Sequence, residues 1–148
     1  MSIEDDLLRD EGLKLKPYKD SVGKLTIGAG RNLDDVGISE DEAKAMLRAD
    51  IKTAEAELDR EFPWWRGRPE PVQRGLVNMM VNMGAARLRG FSRMLSALHA
   101  GDYDTASIEA LDSDWARQVG SRAIRIANLF RSCIMVKNGT PQTPAAQV

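Results

Sequence analysis

The chain is 148 residues long, with 21 Lys+Arg against 22 Asp+Glu, a formal net charge of −1 and a pI near 5.9. That length builds one compact domain, or two small lobes around a shared helix, and buries a core without disulfides. With 43% apolar and 29% charged residues, the composition excludes a disordered or fibrous chain, and the near-neutral total argues against binding to nucleic acid by bulk charge. Cys133 is the only cysteine, which excludes an internal disulfide framework and a Cys-based zinc cluster; its apolar neighbours read as the surroundings of a buried, inert thiol. The acidic start, Met1 to Asp6, lacks the basic and apolar regions of a signal peptide. The uncharged stretch from Gly75 to Ala86 is too short to span a bilayer. These features lead to the expectation of cytoplasmic synthesis without a membrane anchor.

Ser2-x-x-Asp5 is a capping box, so a short first helix is expected to end near Gly12. From Leu13 to about Arg31 the pattern changes to Pro17, an Asp20-Ser21-Val22-Gly23 turn and alternating Lys24-Leu25-Thr26-Ile27, the signature of a hairpin or small three-stranded sheet. Ser39-x-x-Glu42 is a second capping box, and apolar residues at helical spacing from Ala43 to Leu58 predict a helix to about Arg60. At about 20 residues it would span roughly 30 Å, enough to link two lobes. Pro63, Gly67, Pro69 and Pro71 place the lobe boundary near 60–70. Val72, Leu76, Met79, Met80 and Met83 then stripe a core helix. Shorter helices are expected at Phe91 to Ala100, Asp104 to Leu111 and Ser121 to about Val136, with a flexible tail over 138–148.

The chemistry concentrates in Glu11, at the end of the first helix, Asp20 in the turn, and Thr26 on the following strand. A hairpin folded against a helix end can gather two carboxyls and a hydroxyl around one cavity. That set suits glycoside hydrolysis, in which one carboxylic acid protonates the leaving oxygen and the other carboxylate serves the opposite face of the sugar. The same spacing also fits a solvated helix-end charge, a turn aspartate and a strand hydroxyl.

The Glu, eight residues, Asp, five residues, Thr pattern resembles the phage lysozymes of the T-even type, glycoside hydrolase family 24. It stands within Asp10-Glu11-Gly12-Leu13, Tyr18-Lys19-Asp20 and Thr26-Ile27-Gly28-Ala29-Gly30. The likeness continues through Asn78 to Gly84, Gly90-Phe91-Ser92, Ser113-Asp114-Trp115 and Arg122 to Arg131. It implies a lysozyme-like α+β fold, mostly helical, with a small β-sheet lobe joined by a long helix to a helical lobe. In domain terms, one lysozyme domain would cover 1–137, with 12–60 as the small lobe and its connecting helix, and 1–11 plus 61–137 as the helical lobe. The cleft would lie between the lobes.

The resemblance further implies an endolysin that hydrolyses the β-1,4 bond between N-acetylmuramic acid and N-acetylglucosamine in peptidoglycan. Glu11 would be the general acid, while Asp20 and Thr26 would position the attacking water or stabilise the transition state. The expected outcome is inversion, with a gap of about 6.5–9.5 Å between the carboxyls. Asn32, Val81 and Arg117 fall at the family's sugar-lining positions, though none keeps the familiar side chain, and Arg131 falls at the position expected to orient the acid. Arg31 and Asn32 replace the usual His and apolar residue after the glycine turn. No metal or organic cofactor is implied. The implied partners are glycan strands and, for export, a holin, with the chain acting as a monomer that waits in the host cytoplasm until the membrane opens. A lytic transglycosylase and a non-catalytic wall-binding module are the alternatives.

Other features read as structural. Gly28-Ala29-Gly30 is tight turning rather than a dinucleotide fingerprint, Asp102 starts a helix rather than a calcium loop, His99 is a surface imidazole near a helix end, and Trp64-Trp65 pack beside the Pro-rich boundary. The charge, finally, divides: residues 1–60 carry 10 Lys+Arg and 15 Asp+Glu, whereas 61–148 carry 11 and 7. Attraction to an anionic wall is therefore expected from the arginine-rich second part, through residues such as Arg87, Arg89 and Arg93.

Overall fold

The computed structural model describes residues 1–134; the expected tail over 138–148 lies outside the described residues. The described chain is mostly helical with one small antiparallel sheet, the lysozyme-like α+β class expected. It divides into two compact units, the first Met1–Leu47 and the second beginning at Arg48.

In the first unit, helix α1 (Ile3–Glu11) opens on the capping box: Ser2 Oγ accepts the Asp5 N–H, and the Asp5 carboxylate accepts the Ser2 N–H at 2.8 Å. Gly12, at φ 72°, ends it in a conformation that favours glycine. Strands β1 (Lys14–Lys19), β2 (Leu25–Gly28) and β3 (Arg31–Asn32) form the sheet in the order β1-β2-β3. Its register pairs Tyr18 with Thr26 and Thr26 with Asn32. Thr26 is the single buried side chain among residues 1–47, so hydrogen bonds to Asp and Asn side chains in the turns carry much of the local order. The Leu25 N–H donates to Asp34 Oδ2 at 2.8 Å, the Asp35 N–H to Asn32 Oδ1 at 2.9 Å, and Lys24 Nζ reaches Asp35 Oδ1 at 3.1 Å.

Helix α2 (Glu40–Glu61) starts on the second capping box, with the Glu42 N–H donating to Ser39 Oγ and the Ser39 N–H to Glu42 Oε1. It continues into the second unit, where Ala54 and Leu58 enter the core. A short 3-10 turn over Trp65–Gly67, unpredicted from the sequence, seats Trp65 in that core, while its indole N–H donates to Asp59 Oδ1 at 2.7 Å. Both carboxylate oxygens of Asp59 also accept from Arg66; these bonds hold the Asp59 carboxyl below its ordinary range.

Helix α3 (Glu70–Arg89) has Pro71 in its first turn and carries the expected stripe: Val72, Leu76, Met79 and Met80 are buried. It breaks at Gly84 (φ 81°, ψ 170°), after which a short helical stub buries Leu88. Helices α4 (Ser92–Ala100), α5 (Tyr103–Leu111) and α7 (Ser121–Arg131) match the expected segments, although α7 stops at Arg131 rather than near 136. Helix α6 (Asp114–Val119) was not anticipated. Its signal was Ser113, whose hydroxyl caps the Ala116 N–H at 3.0 Å. Helices α5 and α7 pack through small buried residues, Ala106, Ser107 and Ala110 on one side and Ala123 and Ala127 on the other. Gly75 lets the Phe130 ring lie directly on the α3 backbone, where a Cβ would stand 2.7 Å from the ring.

Cys133 packs against the core, and burial pushes its thiol pKa up, in keeping with an inert sulfur. His99 is exposed and stacks on Trp64, with ring centroids 4.8 Å apart. Asp102 caps α5 by accepting the Thr105 N–H, as expected. Among the described residues, no helix is long and apolar enough to cross a membrane.

Candidate active site

Asp20 and Thr26 are organised by the backbone N–H and carbonyl of one residue, Lys24. The Asp20 N–H and the Thr26 hydroxyl both donate to the Lys24 carbonyl, each at 2.9 Å, and the Lys24 N–H returns to Asp20 Oδ1 at 2.8 Å. Oδ1 also accepts the Val22 N–H at 3.0 Å, the local bond that makes aspartate a turn residue. Oδ1 therefore serves the fold, whereas Oδ2 carries none of the described hydrogen bonds and is open to a water or a developing positive charge. Thr26 gives its only hydroxyl proton to Lys24, so its oxygen offers lone pairs and can only accept from a further partner. A water between these two groups would have both of its hydrogens claimed and its own lone pair left free to attack.

Glu11 is the last residue of α1 and is exposed; Asp20 is half-buried. The Glu11 carboxyl lies against Gly30 in the turn from β2 to β3, close enough that a Cβ at Gly30 would stand 2.9 Å from Oε2. The first unit thus brings Glu11 onto the same hairpin system that holds Asp20 and Thr26. Glycines at φ 71° (Gly28) and 84° (Gly30) make the turn, bearing out the reading of this segment as tight backbone turning.

Of the other sequence candidates, Asn32 stands opposite Thr26 in the β2–β3 pairing, and Val81, Arg117 and Arg131 belong to the second unit. Asn32 spends both ends of its amide on Asp35, accepting the Asp35 N–H at 2.9 Å and donating to Asp35 Oδ2 at 3.0 Å. Val81, exposed on α3, lines a surface pocket of about 430 Å³ together with Asp50, Thr53, Glu57 and Asn82. Arg117 is exposed and paired with Asp114 on α6. Arg131 donates from Nε to Ser107 Oγ at 3.1 Å, and Ser107 is itself fully buried and donates to the Asp104 carbonyl. Among the wall-facing arginines expected, Arg89 is paired with Glu61 at 2.9 Å and Arg87 bonds Gln118, while Arg93 lines a second pocket.

Three features were not read from the sequence. Arg31, noted only as a departure from the family pattern, donates to Glu42 Oε1 at 2.9 Å and to the Gly37 carbonyl at 3.2 Å. It thereby ties β3 to the first turn of α2, and chiefly its hydrogen bond, with the Ser39 N–H assisting, holds the Glu42 carboxyl down at about 2. The second is Asn82, whose Oδ1 accepts the indole N–H of buried Trp115 at 2.7 Å. The third is a pocket of about 480 Å³ beside it, floored by Phe91 and Trp115 in edge-to-face contact and rimmed by Arg87, Arg93, Asp112 and Asp114. Its charges, Glu109 among them, come from two stretches of the sequence, 87–93 and 109–114, and no local pattern announces their convergence.

The phage lysozyme family profile matches residues 9–131, which contain every residue of this site. The chain belongs to the phage lysozyme family. It is 32% identical over 120 residues to an endolysin of Acyrthosiphon pisum secondary endosymbiont phage 1, covering 77% of this chain and 78% of that one. It is 26% identical over 160 residues to the probable T4-type lysozyme 2 of Dictyostelium discoideum, covering 88% and 94%. A third relative is the pre-baseplate central spike protein Gp5 of Enterobacteria phage T4, 28% identical over 174 residues. That alignment covers 98% of this chain but only 30% of the spike protein, so the chain spans less than a third of that relative's length.

Proposed function

We propose that this phage lysozyme is a peptidoglycan-cleaving endolysin, a muramidase that hydrolyses the β-1,4 bond between N-acetylmuramic acid and N-acetylglucosamine. The observation that carries this reading is the pair of hydrogen bonds to the Lys24 backbone, which leave Asp20 Oδ2 and the Thr26 lone pairs unspent on the fold. Glu11 protonates the glycosidic oxygen as the bond breaks, and Asp20 and Thr26 orient the water that attacks the anomeric carbon. The water's oxygen joins the sugar, the proton it loses passes to Asp20 Oδ2, and exchange with solvent then returns a proton to Glu11 and takes one from Asp20. Attack by a held water on the opposite face gives inversion.

Glycan contacts are assigned to Asn32, Val81 and Arg117, and support of the acid to Arg131. Of these, Val81 has the most favourable surroundings, beside a pocket with polar walls. The chain acts as a monomer, reaching the wall after a holin opens the membrane.

The test is digestion of purified peptidoglycan followed by mass spectrometry of the muropeptides. Hydrolysis yields reducing N-acetylmuramic acid ends. Anhydro ends would mean a lytic transglycosylase, and intact glycan would mean a wall-binding module. The assignment of the acid is overturned by a Glu11→Gln variant that lyses at the wild-type rate at equal folded concentration.

A further inference from the structure

The β2–β3 turn holds two glycines in the left-handed region, Gly28 and Gly30, and their surroundings differ in one respect. A Cβ on Gly28 would meet nothing within 4 Å, whereas a Cβ on Gly30 would stand 2.9 Å from Glu11 Oε2, 3.2 Å from its Cδ and 3.5 Å from its Cγ. Ordinary carbon contacts begin at 3.4 Å, so a side chain at Gly30 and the present position of the Glu11 carboxyl exclude each other.

Which of the two would yield follows from how each is held. The turn is fixed on both flanks. Ile27 pairs with Arg31 and Thr26 with Asn32 across it. The Leu25 N–H is bound to Asp34, the Leu33 N–H to the Leu25 carbonyl at 2.7 Å, and Arg31 is anchored on Glu42 and the Gly37 carbonyl. Glu11, by contrast, is an exposed side chain on the final residue of a helix, with freely rotating bonds between its backbone and its carboxyl. The turn stays and the carboxyl moves.

We infer that Gly30 is a positioning residue for Glu11: its bare Cα leaves the seat beside the turn that the acid's carboxyl occupies, a place any side chain at this position would deny it. The role rests on the reading of Glu11 as the general acid, and it adds a requirement that backbone conformation alone does not impose. Gly28 and Gly30 carry the same left-handed demand, but only Gly30 carries the seat.

That difference supplies the control. Gly28→Ala introduces left-handed strain without touching Glu11, and Gly30→Ala introduces the strain together with the clash. Both variants are expected to melt at similarly lowered temperatures. A displacement of the carboxyl by half an ångström or more disturbs the acid's alignment, so kcat on purified peptidoglycan should fall roughly tenfold to a hundredfold further in Gly30→Ala than in Gly28→Ala, with KM shared. The Glu11 side-chain carboxyl carbon, followed by 13C NMR, should shift in Gly30→Ala alone. In the wild-type protein, nuclear Overhauser contacts between Gly30 Hα and Glu11 Hγ should be present, a measurement that needs no variant to fold. Equal kcat in the two alanine variants, an unmoved Glu11 resonance in Gly30→Ala, or absence of the wild-type contact would each overturn the inference. A fully active Glu11→Gln variant would instead remove the acid role, leaving the contact and the resonance shift in place.

Discussion

Replacing Gly75 by Ala tests the packing of the helical unit. On an exposed helix the change would stabilise, because alanine loses less backbone entropy than glycine, by about 0.5–1 kcal/mol. Here the new methyl would stand 2.7 Å from Phe130 Cε1, 3.2 Å from its Cζ and 3.5 Å from Ile126 Cγ2. Phe130 is fully buried and Ile126 is 1% exposed, so the ring has no solvent to swing into and α3 and α7 must part. Overpacking of this kind costs about 1–3 kcal/mol. With so short a contact against an enclosed ring, the upper part of that range applies, leaving a net loss of about 2 kcal/mol after the propensity gain. For a chain of this size that corresponds to a Tm lowered by about 4–8 °C. Thermal unfolding followed by circular dichroism reads it directly. Phe130→Leu removes part of the obstructing ring, so the double variant should lose less than the two single losses combined. A Gly75→Ala protein that melts at or above the wild-type temperature would refute the reasoning.

Two further outcomes follow from the first unit. The Glu42 carboxyl is held at about 2 against an ordinary 4.5, mainly by its hydrogen bond from Arg31. A depressed carboxyl stabilises the folded form above the ordinary value and ceases to do so as pH falls through the folded one. The Tm advantage of wild type over Arg31→Gln should therefore be full above pH 4.5 and shrink toward pH 2; an advantage independent of pH over that window would contradict the assignment. Thr26→Val keeps the shape of a buried strand residue but removes the donor to the Lys24 carbonyl and the lone pairs offered to water. It should cost about 1 kcal/mol of stability and depress kcat with little change in KM, whereas unchanged turnover would take Thr26 out of the mechanism.

Sequence alone determined what depends on near neighbours along the chain. Capping boxes at Ser2 and Ser39, the Asp20 turn and the stripe from Val72 to Met80 are local patterns, and each appears where expected. The motif of Glu11, Asp20 and Thr26 was legible for the same reason, since 16 residues of helix end and hairpin contain it. Tertiary structure decided which atoms those residues spend on the fold and which they leave free. The Lys24 backbone takes one oxygen of Asp20 and the only proton of Thr26, and no spacing rule assigns individual lone pairs. It also decided partners distant in sequence: Arg31 with Glu42, Trp115 with Asn82, and Arg131 with buried Ser107. Such pairs depend on how elements pack, and an arginine or asparagine carries no mark of which neighbour the packing will supply. Gly30 combines the two: its sequence context announced a turn, and only the position of the Glu11 carboxyl revealed what the absent side chain makes room for.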